Sequence, residues 1–182
     1  YALCPKVGID EIVRQSRAAV AWVLRHIGEH RGDCARVAVG GHSAGAHLAA
    51  MCLQTRWDED FGLPTDPLSG AVLASGVYDL EPLRYSYLQA DIRLSDSVIE
   101  RNSPVFTCRP CSTPALITWG GRESHEFERQ SRSMHDAWQQ AGNRSELLLQ
   151  PEAHHFATIH GFEHACSPLC LWLARTLEAS RP

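Results

Sequence analysis

A serine with a glycine two residues to either side, Gly41-His42-Ser43-Ala44-Gly45, lies between an apolar run and a helix-forming run. The run before it, Arg36-Val37-Ala38-Val39, reads as a short buried strand. The run after it, Ala44 to Thr55, reads as a helix whose small residues Ala46, Ala49 and Ala50 allow close packing on a sheet. A strand that turns at once into a helix strains the backbone at the turn and lifts that residue's side chain above the sheet. Side chains two residues to either side would collide there, so Gly41 and Gly45 are both expected to be required. The helix N-terminus also aims N–H groups at the serine, and the N–H of Ala44 is the natural donor to an oxyanion. The pattern in this setting points to Ser43 as a nucleophile. The bland alternative is a tight glycine turn with a buried serine.

The rest of the chain alternates strands and helices. Asp10 is expected to cap a helix over 11–27, with Ile12, Val13, Val20, Val23, Leu24 and Ile27 on one face and Gly28 as its stop. Further strands are expected at 70–74, 115–119 and 146–149, and further helices at 126–141 and 168–177. That rhythm argues for an α/β fold, a mostly parallel sheet with helices on both faces. The stretch 79–114 breaks it with Pro82, Pro104, Pro110 and Pro114, and reads as a cap-like insertion in a single domain spanning 1–182. Trp57, Tyr78, Tyr85, Tyr87 and Phe106 lie in segments that could line a pocket above Ser43, although packing explains each of them equally well.

A serine nucleophile needs a base, and the base needs an acid to orient it. In the α/β-hydrolase arrangement the chain order is nucleophile, acid, histidine, with the last two just beyond strand ends. Glu123 and His155 occupy those places. Glu126 and Glu152 are rivals for the acid, and His154 is the main rival for the base. His26, His42, His47 and the remaining histidines read as surface or core residues. The chemistry implied is acyl transfer through Ser43, requiring no metal and no cofactor.

The formal charge of −4 comes from mixed charges along the chain, which argues against nucleic acid and an anionic membrane as partners. A small molecule fits better; homodimer formation stays open. No apolar run approaches the ~20 residues that span a bilayer. The seven cysteines are odd in number and scattered, so reduced thiols in a cytoplasmic protein are expected. Cys108-Arg109-Pro110-Cys111 has neither a second pair at zinc spacing nor the strand-to-helix setting of a redox site.

Four stretches carry a resemblance to a known family: Tyr1-Ala2-Leu3-Cys4-Pro5; Gly40-Gly41-His42-Ser43-Ala44-Gly45-Ala46-His47-Leu48; Glu123-Ser124-His125-Glu126-Phe127-Glu128-Arg129-Gln130-Ser131; and His154-His155-Phe156. Together they resemble the kynurenine formamidase (arylformamidase) branch of the α/β-hydrolases, which neighbours the carboxylesterases of the hormone-sensitive-lipase-like group. The resemblance implies Ser43 as nucleophile, Glu123 as acid and His155 as base. It also implies hydrolysis of N-formyl-L-kynurenine, an aryl formamide, to kynurenine and formate in tryptophan breakdown. The family's acid is often Asp, so Glu123 reaches one methylene further. Family members also carry a His-Gly-Gly oxyanion motif and the first strands of the sheet before this region, and no such motif occurs here. The expectation is therefore an N-terminally truncated α/β-hydrolase fold, its C-terminal two-thirds. A broad carboxylesterase and a catalytically impaired, non-catalytic product of truncation are the alternatives.

Overall fold

The structure is a computed structural model and describes residues 1–179. Four strands, β1 (Ala38–His42), β2 (Gly70–Ala74), β3 (Ala115–Gly120) and β4 (Ser145–Gln150), form one parallel sheet in the order β1-β2-β3-β4. Its helices are α1 (Ile9–His26), α2 (Ala44–Leu53), α3 (Trp57–Phe61), α4 (Gln89–Ile92), α5 (Asp96–Asn102), α6 (His125–Gln140) and α7 (Pro168–Ala179).

Strand side chains alternate between two faces. Ala71, Leu73, Ala115 and Ile117 pack with Ala46, Ala49 and Ala50 of α2 and with Met134 and Trp138 of α6. Val72 and Leu116 pack on the opposite face against Leu169 and Trp172 of α7. The sheet is therefore covered on both faces, which is what parallel strands need. α2 is buried from Ala46 to Leu53 because α1 lies over it, with Ile12 and Val13 against Leu48 and Met51. This sandwich explains why α2 is apolar all round.

Two details differ from the sequence reading. Gly8, not Asp10, is the N-cap of α1, and Asp10 instead holds Arg101 and Asn102 of α5, bonding Arg101 Nε at 2.7 Å and Asn102 Nδ2 at 2.8 Å. A charged partner distant in sequence outcompetes a local cap. β1 is half-buried with Gly40 exposed, not a fully buried strand, because it lies at the end of the described sheet and pairs on one side only. The segment 79–114 folds as short helical turns around Leu80, Leu94 and Ile99, in contact with Ile9 of α1. No helix among the described residues is long and apolar enough to cross a membrane.

α2 also carries a buried titratable group. His47 donates from Nε2 to the carbonyl of Asn102 at 2.7 Å, and burial holds its imidazole below the ordinary value of 6.5. The unfolded chain therefore takes up a proton that the folded chain refuses. Stability from this residue is complete above about pH 6.5 and is lost as the pH falls toward the depressed folded value, at up to about 1.4 kcal/mol per pH unit for one proton. Urea unfolding should show a flat midpoint between about pH 7 and 8 and a falling one between about pH 6.5 and 5. His47→Gln should flatten part of that fall. An unchanged acid limb would rule His47 out as its source.

Candidate active site

Each strand ends at the same edge of the sheet, and the residues just beyond those ends build the site. Backbone pairing continues one step past the strands: Ser43 N–H donates to the Ala74 carbonyl at 2.9 Å, and Ser75 N–H to the Thr118 carbonyl at 2.8 Å. Beyond β3 and β4, Gly121 N–H donates to the Gln150 carbonyl at 2.8 Å. Serines 43 and 75, Glu123 and His155 are thus delivered by four successive strand ends to the rim where open α/β sheets bind ligands.

Ser43 sits between β1 and α2 with φ 56° and ψ −118°. A non-glycine residue in that region is strained by roughly 1–3 kcal/mol, a cost that recurs at functional turns. The strain places the serine at the head of α2, whose first backbone bonds run from Ala46 and His47 to the Ser43 carbonyl. The N–H of Ala44 lies ahead of those bonds, where the helix end favours negative charge.

The glycine requirement is only half what the motif predicts. A Cβ at Gly41 would lie 2.2 Å from the carbonyl carbon and oxygen of Gly45, whereas a Cβ at Gly45 meets nothing within 4 Å. The collision is one-sided because Gly41 faces the backbone of the first helical turn while Gly45 faces open space. Gly41→Ala should destabilise the fold by about 1–3 kcal/mol, as overpacking against backbone does. Gly45→Ala should be neutral or stabilising by up to about 1 kcal/mol, since it adds helix propensity. Thermal unfolding of the two variants decides the matter, and equal losses would contradict the asymmetry.

Glu123 and His155 meet as expected, with His155 Nδ1 2.6 Å from Glu123 Oε1. Glu123's side chain is 1% exposed and that of His155 26%, so the acid is sealed while the imidazole opens to solvent. An ionised carboxylate only accepts, so Nδ1 carries the proton and a neutral ring presents the Nε2 lone pair. Close backbone approach makes the meeting possible: a Cβ at Gly120 would lie 2.2 Å from the Ala153 carbonyl oxygen, and one at Gly121 2.5 Å from that of Pro151. The rivals lie elsewhere. Glu126 is taken up by Arg129 and Gln130, and both Glu152 and His154 are exposed.

Sequence reasoning missed several neighbours. The other carboxylate oxygen, Oε2, accepts from the Ser75 hydroxyl at 2.8 Å and from the Gly120 N–H at 2.6 Å. His42 donates from Nε2 to the His155 carbonyl at 2.7 Å, and the two rings lie 4.4 Å apart. This ties the serine turn to the histidine loop across 113 residues of sequence. Burial, more than its neighbour His155, holds the His42 imidazole below its ordinary value. Ser43 Oγ itself forms no hydrogen bond to the imidazole here; catalytic contacts often tighten only once substrate is bound.

Aromatic rings do surround the imidazole, but not those singled out in sequence. Phe127 lies 4.6 Å and Phe156 5.4 Å from the His155 ring. Trp57 and Tyr78 are instead core residues, while Tyr85, Tyr87 and Phe106 are exposed. All seven cysteines are unpaired. Burial pushes the Cys108 thiol up to about 11 and raises Cys111 as well, opposite to what a reactive thiolate pair requires.

Comparison with known proteins agrees with this architecture. A family profile described as alpha/beta hydrolase fold matches residues 1–159. Kynurenine formamidase of Danio rerio is 32% identical over 164 residues, covering 87% of this chain and 54% of that protein, so the chain spans about half the length of this relative. Among solved structures, esterase 2 of Thermogutta terrifontis is 25% identical with a TM-score of 0.66, over 96% of this chain and 64% of that one. A fungal esterase from Rhizomucor miehei shares the fold at 18% identity and a TM-score of 0.81, over 100% of this chain and 63% of that one.

Proposed function

The chain belongs to the α/β-hydrolase-fold family, and on that premise we propose that it is an arylformamidase-type serine hydrolase, cleaving N-formyl-L-kynurenine to L-kynurenine and formate. The observation that carries this reading is the Glu123–His155 hydrogen bond at the same sheet edge as the strained Ser43. The likeness to kynurenine formamidase of Danio rerio supports this choice of substrate, and the family resemblance implies tryptophan breakdown as its setting. Phe127 and Phe156 offer an aryl group apolar surface beside the imidazole.

In this reading Ser43 Oγ attacks the formyl carbon while His155 Nε2 takes its proton, and Glu123 holds the resulting imidazolium. Charge developing on the carbonyl oxygen is met by the Ala44 N–H. The intermediate collapses as His155 returns the proton to the departing aryl amine, leaving a formyl ester on Ser43. Water then attacks that ester with His155 again as base, releasing formate and restoring the serine. The product amine carries away the hydrogen that began on Ser43, so the cycle balances with water as the only co-reactant.

A broad carboxylesterase is the second reading, favoured by the likeness to esterase 2 of Thermogutta terrifontis. Turnover of N-formyl-L-kynurenine and of short p-nitrophenyl esters separates the two. The formamidase reading predicts the higher kcat/KM on the formamide, and ester turnover with none on the formamide would overturn it.

A further inference from the structure

We propose that Ser75 is a positioning residue for the reaction, acting through Glu123. The inference rests on the serine-hydrolase reading above but not on the identity of the substrate. Ser75 is fully buried and has φ 47°, a left-handed conformation that a non-glycine residue adopts at a cost. Nothing in its backbone bonding demands a serine there. What the conformation accomplishes is to aim Oγ at Glu123 Oε2, 2.8 Å away, with Thr158 Oγ1 3.0 Å on the other side.

Counting protons orders this chain. The Thr158 hydroxyl is also within 2.9 Å of the His155 carbonyl, which already accepts from His42 Nε2 at 2.7 Å. The Ser75 and Thr158 hydroxyls together have two protons for three contacts: Ser75 to Glu123, Ser75 to Thr158, and Thr158 to the His155 carbonyl. Glu123 can only accept, so the Ser75 proton goes to the carboxylate. The His155 carbonyl has two lone pairs and accepts from both His42 Nε2 and the Thr158 hydroxyl, so Thr158 links the histidine loop to Ser75. The result is a carboxylate pinned through both oxygens, Oε2 by Ser75 and the Gly120 N–H and Oε1 by His155. Without Ser75 the carboxylate keeps one backbone donor on Oε2 and gains freedom to rotate away from the imidazole.

Ser75→Gly is the informative variant, because glycine adopts the left-handed backbone without strain and removes the CH2OH group that reaches Glu123. The expected result is a folded protein whose kcat falls roughly tenfold or more with KM little changed, the order set by one hydrogen bond to a charged group. A second readout does not need turnover: the downfield proton resonance of His155 Nδ1–H should shift, broaden or vanish in Ser75→Gly. If Ser75 serves only the backbone turn, Ser75→Gly keeps both the parent's kcat and its Nδ1–H resonance, and the proposal is overturned while the triad stands. A parent chain with neither turnover nor a downfield resonance would remove the triad, and the role of Ser75 with it.

Discussion

Ser43→Ala is expected to abolish hydrolysis, with kcat falling by about 10⁶, and His155→Ala to cost about as much. The two residues act as one unit: a serine hydroxyl is a poor nucleophile without a base to take its proton, and the base has nothing to deprotonate once the hydroxyl is gone. The double variant should therefore lose no more than either single one. Neither substitution touches the core, because Ser43 and His155 are both partly exposed at the sheet edge. Ser43→Ala retains the strained φ of 56° and should fold with stability close to the parent. Single-turnover kinetics on the two variants and their combination test this; losses that add in free energy would show that the residues do not share a step.

Glu123→Gln should lower kcat by about 10⁴ while leaving the fold intact. The reason lies in which end of the new amide faces the imidazole. Both groups at Oε2, the Ser75 hydroxyl and the Gly120 N–H, are donors, so the glutamine carbonyl oxygen must take that side. Its NH₂ then faces His155 Nδ1, which has to become the acceptor. The ring is driven into the tautomer with its proton on Nε2, where it cannot act as base toward Ser43. The variant also lacks the negative charge that stabilises the imidazolium. Steady-state kinetics beside thermal unfolding checks both halves, and a loss below about tenfold would mean that Glu123 does not orient the base.

What could be read from the chain before folding was local. Gly41-His42-Ser43-Ala44-Gly45 carries its own strand–turn–helix setting, and Glu123 and His155 follow strands at the distances that the fold's chain order requires. Features that depend on a distant partner were not legible. Asp10 has the position of a helix cap, but its carboxylate goes to Arg101, 91 residues away. Gly45 matches the motif although its Cβ would have room, and only the three-dimensional path of α2 reveals that Gly41 alone is hemmed in. Ser75 belongs to no motif that points to Glu123. Its place follows from β2 ending one ladder step from β3, which is a property of strand register. The half-buried state of β1 is likewise set by sheet order, which a run of apolar residues does not encode.

Hydrolysis by this site requires Ser43 to be an activated nucleophile served by His155. Treating the folded chain with a fluorophosphonate and mapping the adduct by peptide mass spectrometry tests this most directly. The predicted result is one adduct on Ser43, formed by the parent and lost in His155→Ala. A folded sample that takes no label, or takes it at another residue, would contradict the account.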